Sequence, residues 1–296
     1  MEINPSFNPT LSVIMPVWNG DKYLAKAVDS ILNQSLRDFE FLIIDDGSTD
    51  TTPAILTRYA EKDSRIRIIQ LSHDGIVIAL NRGIEEARSK WIARMDCDDI
   101  AHPERFQQQM KQLAQNKSAI LSHTAVRQIG DSRYFTSQQR IPRSKAFYAL
   151  RLCYGPPIIH PTVIFSKEAF HLAGGYRTGE RHAEDYSLWG RMLPLGEFSY
   201  VHRPLLDFRV HTASISKQKA GAQSVLAGKI ARKHCQEFMS LSHQGAARAQ
   251  VAIGKSRLGS NLSEWFWFLA CCLPRMQWQS IELWAWAIFQ TLKRMK

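Results

Sequence analysis

Cysteine is scarce in this chain, and its spacing excludes two common roles. The 296 residues contain five cysteines, which is an odd number, and no two of them stand in C-x-x-C spacing. A disulfide framework uses paired cysteines, and many structural zinc sites use that short spacing. The composition therefore favours a protein of a reducing compartment, and we expect a cytoplasmic location.

Long apolar runs are also lacking. No uninterrupted apolar stretch reaches the length of about 18 residues that a membrane-spanning helix needs. Residues 1–10 have neither a basic lead nor an apolar core, which are the marks of a signal peptide. We therefore expect neither a signal peptide nor a spanning helix.

The glycine-rich loops that many nucleotide-binding proteins use are missing as well. The first apolar run ends in Pro16-Val17-Trp18-Asn19, where a dinucleotide fold would have G-x-G-x-x-G and a P-loop would have G-x-x-x-x-G-K-[ST]. This absence argues against a Rossmann dinucleotide site and a P-loop. A diphosphate held without a glycine cradle needs another partner, such as a metal ion.

Four short apolar runs recur along the first hundred residues. They begin near positions 11, 39, 66 and 91, and helical patterns stand between them. Apolar strands that alternate with helices indicate an α/β fold with a mostly parallel sheet and helices on both faces. The predicted strands are 11–15, 39–44, 66–69 and 91–95. Others are expected within 119–142, at 158–165 with an interruption at Pro161, and at 205–210. The predicted helices are 21–34, 52–61, 76–87, 103–116 and 184–193.

Acidic side chains follow three of the four first strands. They are Asp45, Asp46, Asp74, Asp96, Asp98 and Asp99. Ligands of such sheets bind at the carboxyl ends of the strands, so these carboxylates are expected at one site with Trp18 and its neighbours. They would serve ribose hydroxyls and a metal, with an apolar wall for a base. The alternative, turn formation and helix capping, is the one that we expect for Asp50 but not for Asp46.

The stretch from Trp91 to Asp99 runs from an apolar strand into three carboxylates within four residues. Carboxylates this close stay together only if they are solvated, have a raised pKa or share a cation. Mg²⁺ and Mn²⁺ prefer oxygen ligands, so either ion would suit this loop. For this stretch taken alone, an acidic turn that caps the helix beginning near Pro103 is the alternative.

Seven motifs in order make this chain similar to a known family. They are LSVIMPVWN at 11–19, IIDDGSTD at 43–50, MDCDD at 95–99, HPTV at 160–163, GGY at 174–176, EDYSLW at 184–189 and FRVH at 208–211. Together they resemble the inverting glycosyltransferases of family 2, which have the GT-A fold. The resemblance covers about residues 10–216. It implies a nucleotide-sugar donor, a divalent metal and transfer with inversion at the anomeric carbon.

The resemblance and the strand-end pattern together assign candidate roles. Residues expected to bind the nucleotide sugar are Pro16, Val17, Asn19, Asp46, Asp74, Asn81 and Asp96. Asp98 would be the main metal ligand, with Asp96 and His211 as further candidates and Asp99 orienting the site. His160 could either touch the acceptor or be a structural residue.

The resemblance also places the catalytic base at Asp185, beside Glu184. The acceptor hydroxyl has a high pKa, and its proton must leave as the sugar transfers, so a base is required. One base and one metal on the leaving group suffice for a single in-line displacement, which inverts the centre. A carboxylate at a helix start is often only a cap, and that alternative accounts for one of the two acids but does not require both.

The last 80 residues differ from the rest in charge. From Lys217 onward twelve Lys and Arg residues face three acids, whereas the chain as a whole has a net charge of +11. Trp and Phe residues lie among these charges at 265–268, 284, 286 and 289. We predict a catalytic domain at 1–216 and a basic, aromatic-rich helical region at 217–296 that binds an anionic membrane surface. A helical cap on the catalytic domain is the alternative.

The expected function is metal-assisted transfer of a sugar from a nucleotide-diphosphate donor to a saccharide or lipid-linked acceptor. The resemblance suggests bacterial surface-polysaccharide or glycolipid assembly, by an enzyme peripheral to the inner face of the cell membrane. One alternative is a sugar nucleotidyltransferase, which should carry a Lys-containing glycine-rich loop after the first strand. The other is a basic nucleic-acid-binding protein, but no reading motif accompanies the charge, and we expect no nucleic-acid partner.

Overall fold

The structure is a computed structural model that describes residues 8–130, 136–137, 144–153, 155–210 and 220–239. Within these ranges nine strands form one sheet. The strands are β1 (Leu11–Val17), β2 (Phe39–Asp45), β3 (Ile66–Gln70), β4 (Trp91–Arg94), β5 (Ile100–Ala101), β6 (Ala119–Gly130), β7 (Thr136–Ser137), β8 (Ile164–Ser166) and β9 (Glu197–Val210). The helices are α1 (Asp21–Leu32), α2 (Thr52–Lys62), α3 (Ile76–Glu86), α4 (Arg105–Gln115), α5 (Lys145–Leu152), α6 (Lys167–Leu172), α7 (Glu184–Met192) and α8 (Ala220–Met239).

The first half of the sheet is parallel, in the order β3-β2-β1-β4. Every residue of β1 and β2 is buried, because helices cover both faces. This confirms the predicted alternation of apolar strands and helices, and most predicted boundaries lie within two residues of the observed ones. The carboxyl ends of these four strands meet at one edge.

The second half of the sheet is mixed. It continues in the order β8-β6-β9-β5, with β8 antiparallel to β4 and β6, β9 parallel to β6, and β5 antiparallel to β9. The strand predicted at 158–165 is wrong in its first part, because residues 160–162 form a 3₁₀ turn and β8 begins at Ile164. Pro161 has no N–H to give to a ladder, and the amide N–H of Thr162 closes the turn onto the carbonyl of Ile159 at 3.0 Å.

Two apolar layers sandwich the sheet, and successive strand residues alternate between them. Ile14, Leu42 and Ile92 belong to the layer formed with α3, α5, α6, α7 and α8. Val13, Phe41 and Ala93 belong to the layer formed with α1, α2 and α4. Each helix therefore reaches the sheet edge from a defined face, and α7 approaches it from the side that Ile92 faces.

Helix α8 is the part of the predicted C-terminal region that the structure describes. Its residues Ile230, Ala231 and Cys235 are buried in the same layer as α5 and α7. His234 packs directly on α7, since a Cβ added at Gly190 would lie 1.8 Å from the His234 Cε1 atom. None of the helices in the described ranges is long and apolar enough to cross a membrane. Residues 240–296, which carry the aromatic and basic pattern, lie outside the described residues.

Candidate active site

The acidic loop, residues 95–99, begins where β4 ends. One carboxylate oxygen from each of Asp96, Asp98 and Asp99 lies within 4.8 Å of the others. The buried Arg105 holds the base of the loop, since its Nη2 donates to the carbonyl of Arg94 at 2.8 Å and its Nη1 contacts the Met95 sulfur at 3.4 Å. Helix α4 thus fixes the point at which the strand becomes the loop.

Strand β9 anchors the other end of the acidic loop. The backbone N–H of Arg209 donates to Oδ1 of Asp99 at 2.7 Å, and its Nε donates to the carbonyl of Asp98 at 2.8 Å. The Arg209 guanidinium also lies 4.3 Å from the centre of the Tyr23 ring. Residues far apart in sequence therefore hold the carboxylates together. His211, the predicted further ligand, lies outside the described residues, so its role stays a prediction.

The electrostatics of the acidic loop fit a divalent cation. Burial raises the pKa of Asp96, although the charge of Arg94 opposes the rise. Burial also raises the pKa of Asp99 well above its ordinary value, and the charges of Asp96 and Asp98 add to this. Within the described part of the chain, Oδ2 of Asp99 is buried with no hydrogen-bond partner. Clustered oxygen ligands with an unpartnered buried oxygen are a donor set that suits Mg²⁺ or Mn²⁺.

Asp46, predicted to bind the donor, lies buried at the carboxyl end of β2. Its two carboxylate oxygens accept the backbone N–H groups of Asp74 at 2.7 Å and Gly75 at 2.9 Å. Gly75 precedes α3 with a φ of 92°, a conformation that favours glycine. Asp46 therefore fixes the start of α3, and the side chain of Asp74 beside it is exposed.

The loops after β1 and β2 are tied together by Asn19. Its Oδ1 accepts the N–H of Thr49 at 2.8 Å, and its own N–H donates to Oγ of Ser48 at 2.9 Å. Asp50 accepts the N–H groups of Asp21 and Thr52, as expected for a turn and cap residue. The predicted donor residues Pro16 and Val17 are buried in β1, so they shape this edge from below.

An exposed aromatic pair stands beside Asp46. Trp18 is 53% exposed, and its ring centroid lies 4.5 Å from that of His73 at an interplanar angle of 34°. His73 Nδ1 is 3.2 Å from the carbonyl oxygen of Asp46. The sequence predicted an aromatic wall at Trp18 but gave no indication of His73, whose contact depends on the loop after β3.

The start of α7 carries the two acids predicted for catalysis. Burial raises the pKa of Asp185 to about 7, and the charge of Glu184 adds to the rise. Glu184 is buried, and its Oε2 has no hydrogen-bond partner among the described residues. The residue at the cap position is Ala183, with no side-chain cap bond. Asp185 Oδ1 accepts the backbone N–H of Tyr186 at 2.7 Å, so the capping alternative applies to Asp185, but it does not account for the buried Glu184.

A buried histidine and tyrosine lie next to these acids. His160 Nε2 and the Tyr176 hydroxyl are 2.7 Å apart. The side-chain amide of Asn81 forms two hydrogen bonds with the backbone of Tyr176. Its Nδ2 donates to the Tyr176 carbonyl at 2.9 Å, and its Oδ1 accepts the Tyr176 N–H at 3.2 Å. Of the two readings for His160, the structural contact is the one observed. Asn81, predicted to bind the donor, uses both ends of its amide on Tyr176.

The acidic loop and the start of α7 share one sheet edge. Burial raises the pKa of Tyr176 well above its ordinary value, and the charges of Asp185, Glu184 and Asp96 add to the rise. Glu184 likewise contributes to the raised pKa of Asp96. Two groups of carboxylates, which the sequence separates by more than eighty residues, therefore lie close enough for their charges to act on one another.

Comparison with known proteins assigns the family. The family model of glycosyl transferase family 2 matches residues 12–184. The chain belongs to this family. It is 34% identical over 211 residues to the O-antigen biosynthesis glycosyltransferase WbnJ of Escherichia coli, with 70% of this chain and 82% of that protein covered.

Another relative is much longer than the region that it shares with this chain. The chain is 27% identical over 219 residues to the hyaluronan synthase of Pasteurella multocida, and this covers 73% of the chain but 22% of that protein. The match to glycosyl transferase family 2 favours the glycosyltransferase over the two alternative functions raised from the sequence, a sugar nucleotidyltransferase and a nucleic-acid-binding protein.

Solved structures support the predicted GT-A fold. TarS residues 1–349 of S. aureus in complex with UDP has a TM-score of 0.64 at 17% identity, with 87% of this chain and 78% of that chain covered. The mannosyltransferase PcManGT of Pyrobaculum calidifontis, in complex with GDP-Man and Mn²⁺, has a TM-score of 0.56 at 16% identity, with 98% and 88% covered. These likenesses concern the fold.

Proposed function

We propose that this glycosyltransferase moves a sugar from a nucleoside-diphosphate donor to an acceptor hydroxyl with inversion. The observation that carries the proposal is the pairing of two carboxylate groups at one sheet edge. The acidic loop offers clustered oxygen ligands within 4.8 Å, and α7 offers Asp185 with a pKa raised to about 7. The first suits a cation on the leaving group, and the second suits a base on the acceptor.

Asp98 and Asp99 would hold the divalent cation, with Asp96 and His211 as further ligands. When bound, Mg²⁺ or Mn²⁺ would neutralise the charge that develops on the leaving diphosphate. Three carboxylates with one unpartnered buried oxygen support this assignment. The relative PcManGT, whose structure contains GDP-Man and Mn²⁺, is consistent with it.

Asp185 takes the proton of the acceptor hydroxyl. Burial and the charge of Glu184 raise its pKa to about 7, so the carboxylate is basic enough to accept a proton near neutral pH. The unpartnered Oε2 of Glu184 is available to orient the acceptor or the neighbouring carboxylate. A single displacement needs no carboxylate nucleophile, which agrees with one base and one cation site.

The nucleotide would lie over the edge between β1 and β3. Trp18 and His73 offer an exposed ring pair on which a base can stack. Asp46 has an oxygen pair already bonded to backbone N–H groups, and a carboxylate can accept further bonds from a ribose hydroxyl. Asn19, Pro16 and Val17 shape this pocket, with Asp74 at its rim and Asn81 behind it.

The biological setting is assembly of a bacterial surface polysaccharide or glycolipid, with a saccharide or lipid-linked acceptor. The relative WbnJ, which is named for O-antigen biosynthesis, supports this setting. The basic region 217–296 would hold the enzyme on the inner face of the cell membrane, through its excess of Lys and Arg. Residues 1–216 would act as the catalytic domain.

A panel of nucleotide sugars tests the proposal. The purified protein is heated with each donor, with and without Mn²⁺, and a bound donor should raise the melting temperature by mass action. A donor that stabilises the protein only with the metal should then be consumed in an acceptor assay. Equal melting temperatures with every nucleotide sugar, with and without Mn²⁺, would overturn the proposal.

A further inference from the structure

We propose that Arg94 is a positioning residue that ties the acidic loop to the start of α7. The proposal deepens the proposed function and rests on it. Arg94 is the last residue of β4 and is 4% exposed, which is unusual for an arginine unless it is paired. Neither the family motifs nor the strand-end pattern assigns it a role.

The backbone of Arg94 is fixed on both sides. Its N–H donates to the carbonyl of Val163 at 3.1 Å, and its carbonyl accepts from Arg105 Nη2 at 2.8 Å. Strand alternation points its side chain to the same face as Ile92, which is the face that α7 covers. The guanidinium therefore lies on the sheet face that α7 covers, next to the acidic loop that follows β4.

The charge of the guanidinium acts on carboxylates of both groups. It forms an ion pair with Oδ2 of Asp96, and its charge also acts on Asp99. On the α7 side its charge acts against burial on the pKa of Asp185. Its Nε has no hydrogen-bond partner among the described residues. One buried cation thus offsets the repulsion between two groups of acids and keeps a donor free.

The pairing with Asp96 has a consequence for the cation site. An oxygen of Asp96 that faces Arg94 is less available to a metal, so the cation is left mainly to Asp98 and Asp99. A guanidinium close to the site also repels a divalent cation. Arg94 therefore weakens metal binding before the donor arrives, while it keeps Asp96 directed toward α7.

Mn²⁺ titration of the protein without donor tests this. Arg94→Met removes the charge at similar volume, and we expect Mn²⁺ to bind at least about fivefold more tightly, because a Coulomb repulsion of this range is lost. Turnover should fall at the same time. A purely structural role would not make Mn²⁺ binding tighter. Arg82→Met is the control, since exposed Arg82 pairs with Glu86 on α3 and should leave both quantities unchanged.

Arg94→Lys keeps the charge but not the planar fork. We expect Mn²⁺ affinity within about twofold of wild type and a clear loss of kcat, because a point charge cannot span Asp96 and α7 together. Unchanged or weaker Mn²⁺ binding in Arg94→Met overturns the proposal. If that variant does not fold, full kcat in Arg94→Lys overturns it. A wild type that binds no Mn²⁺ would count against the proposed function instead.

Discussion

Two sets of carboxylates lie at the same sheet edge and differ in how they are satisfied. Asp46 and Asp50, in the loops of β2, accept hydrogen bonds from backbone N–H groups. Asp99 and Glu184, in the acidic loop and α7, each keep a buried oxygen without a partner among the described residues. Buried polar groups are normally paired, so we propose that the first set mainly supports the scaffold and that the second binds a ligand.

The largest loss of turnover among the variants that test this comparison is expected at Asp98. Asp98→Ala removes the proposed main ligand of the cation, so turnover and metal-dependent nucleotide binding should fall below detection. The fold should remain, because the loop without a cation is already self-repelling. Activity and far-UV circular dichroism check both parts. Full activity of the variant, or of wild type in excess chelator, would refute the metal role.

The next effect is at the proposed base. Asp185→Asn keeps the shape of the side chain but cannot accept a proton, so kcat should fall by about 10²–10⁴-fold. Donor affinity should change little, because the proposed base acts on the acceptor and does not hold the diphosphate. Glu184→Gln is the matched comparison and should be milder. A normal kcat in Asp185→Asn with a large loss in Glu184→Gln would move the base by one residue.

The pH dependence follows from the raised pKa of Asp185, about 7. A base must be deprotonated, so kcat should rise with pH through about 7 and level above it. Stability should change in the opposite direction, since a raised pKa means that the folded state binds the proton more tightly. The stability contribution is present at low pH and is lost as pH rises through 7. A kcat that stays flat from pH 5 to 8 would argue against this assignment.

Sequence patterns predicted most of the parallel half of the fold. Continuous apolar runs between helices identified β1 to β4, and the acids after them identified the edge. Arg105, Arg209 and Asn81 were missed as scaffold residues. Arg105 bonds to residues about one helix away, but the partners of the other two lie far off in the chain: Asp99 for Arg209 and Tyr176 for Asn81, with separations of 110 and 95 residues. No local pattern encodes such contacts, because they depend on how the mixed half of the sheet closes.

The same limit explains two other differences: the wrong first part of the strand predicted at 158–165, and the failure to single out Arg94. The apolar pattern predicted a strand at 158–165 interrupted by Pro161, whereas the proline and the hydroxyl of Thr162 favour a full turn before β8. Arg94 gave no signal because an arginine after an apolar run can equally face solvent. Only the packing of α7 over that face makes it buried.

The smallest expected effect lies in the basic region. Residues 217–296 should bind anionic vesicles, with about 1 kcal/mol for each Lys or Arg near the surface. Flotation of the protein with anionic and neutral liposomes measures this, and the binding should weaken in high salt. Equal recovery with both vesicles, insensitive to salt, would remove the electrostatic part. The remaining alternative would be a helical cap on the catalytic domain, which agrees with the packing of α8 against the layer of α5 and α7.

The most direct measurement is the unfolding free energy of two neutralising variants, taken in excess chelator. Asp46→Asn breaks a satisfied pair of bonds and should lose about 1–3 kcal/mol. Asp99→Asn can keep the bond from Arg209 and removes a charge from a crowded site, so it should be neutral or more stable while turnover is lost. If Asp99→Asn instead destabilises the protein as much as Asp46→Asn, the acidic loop is scaffold, and the division between the two sets of carboxylates is wrong.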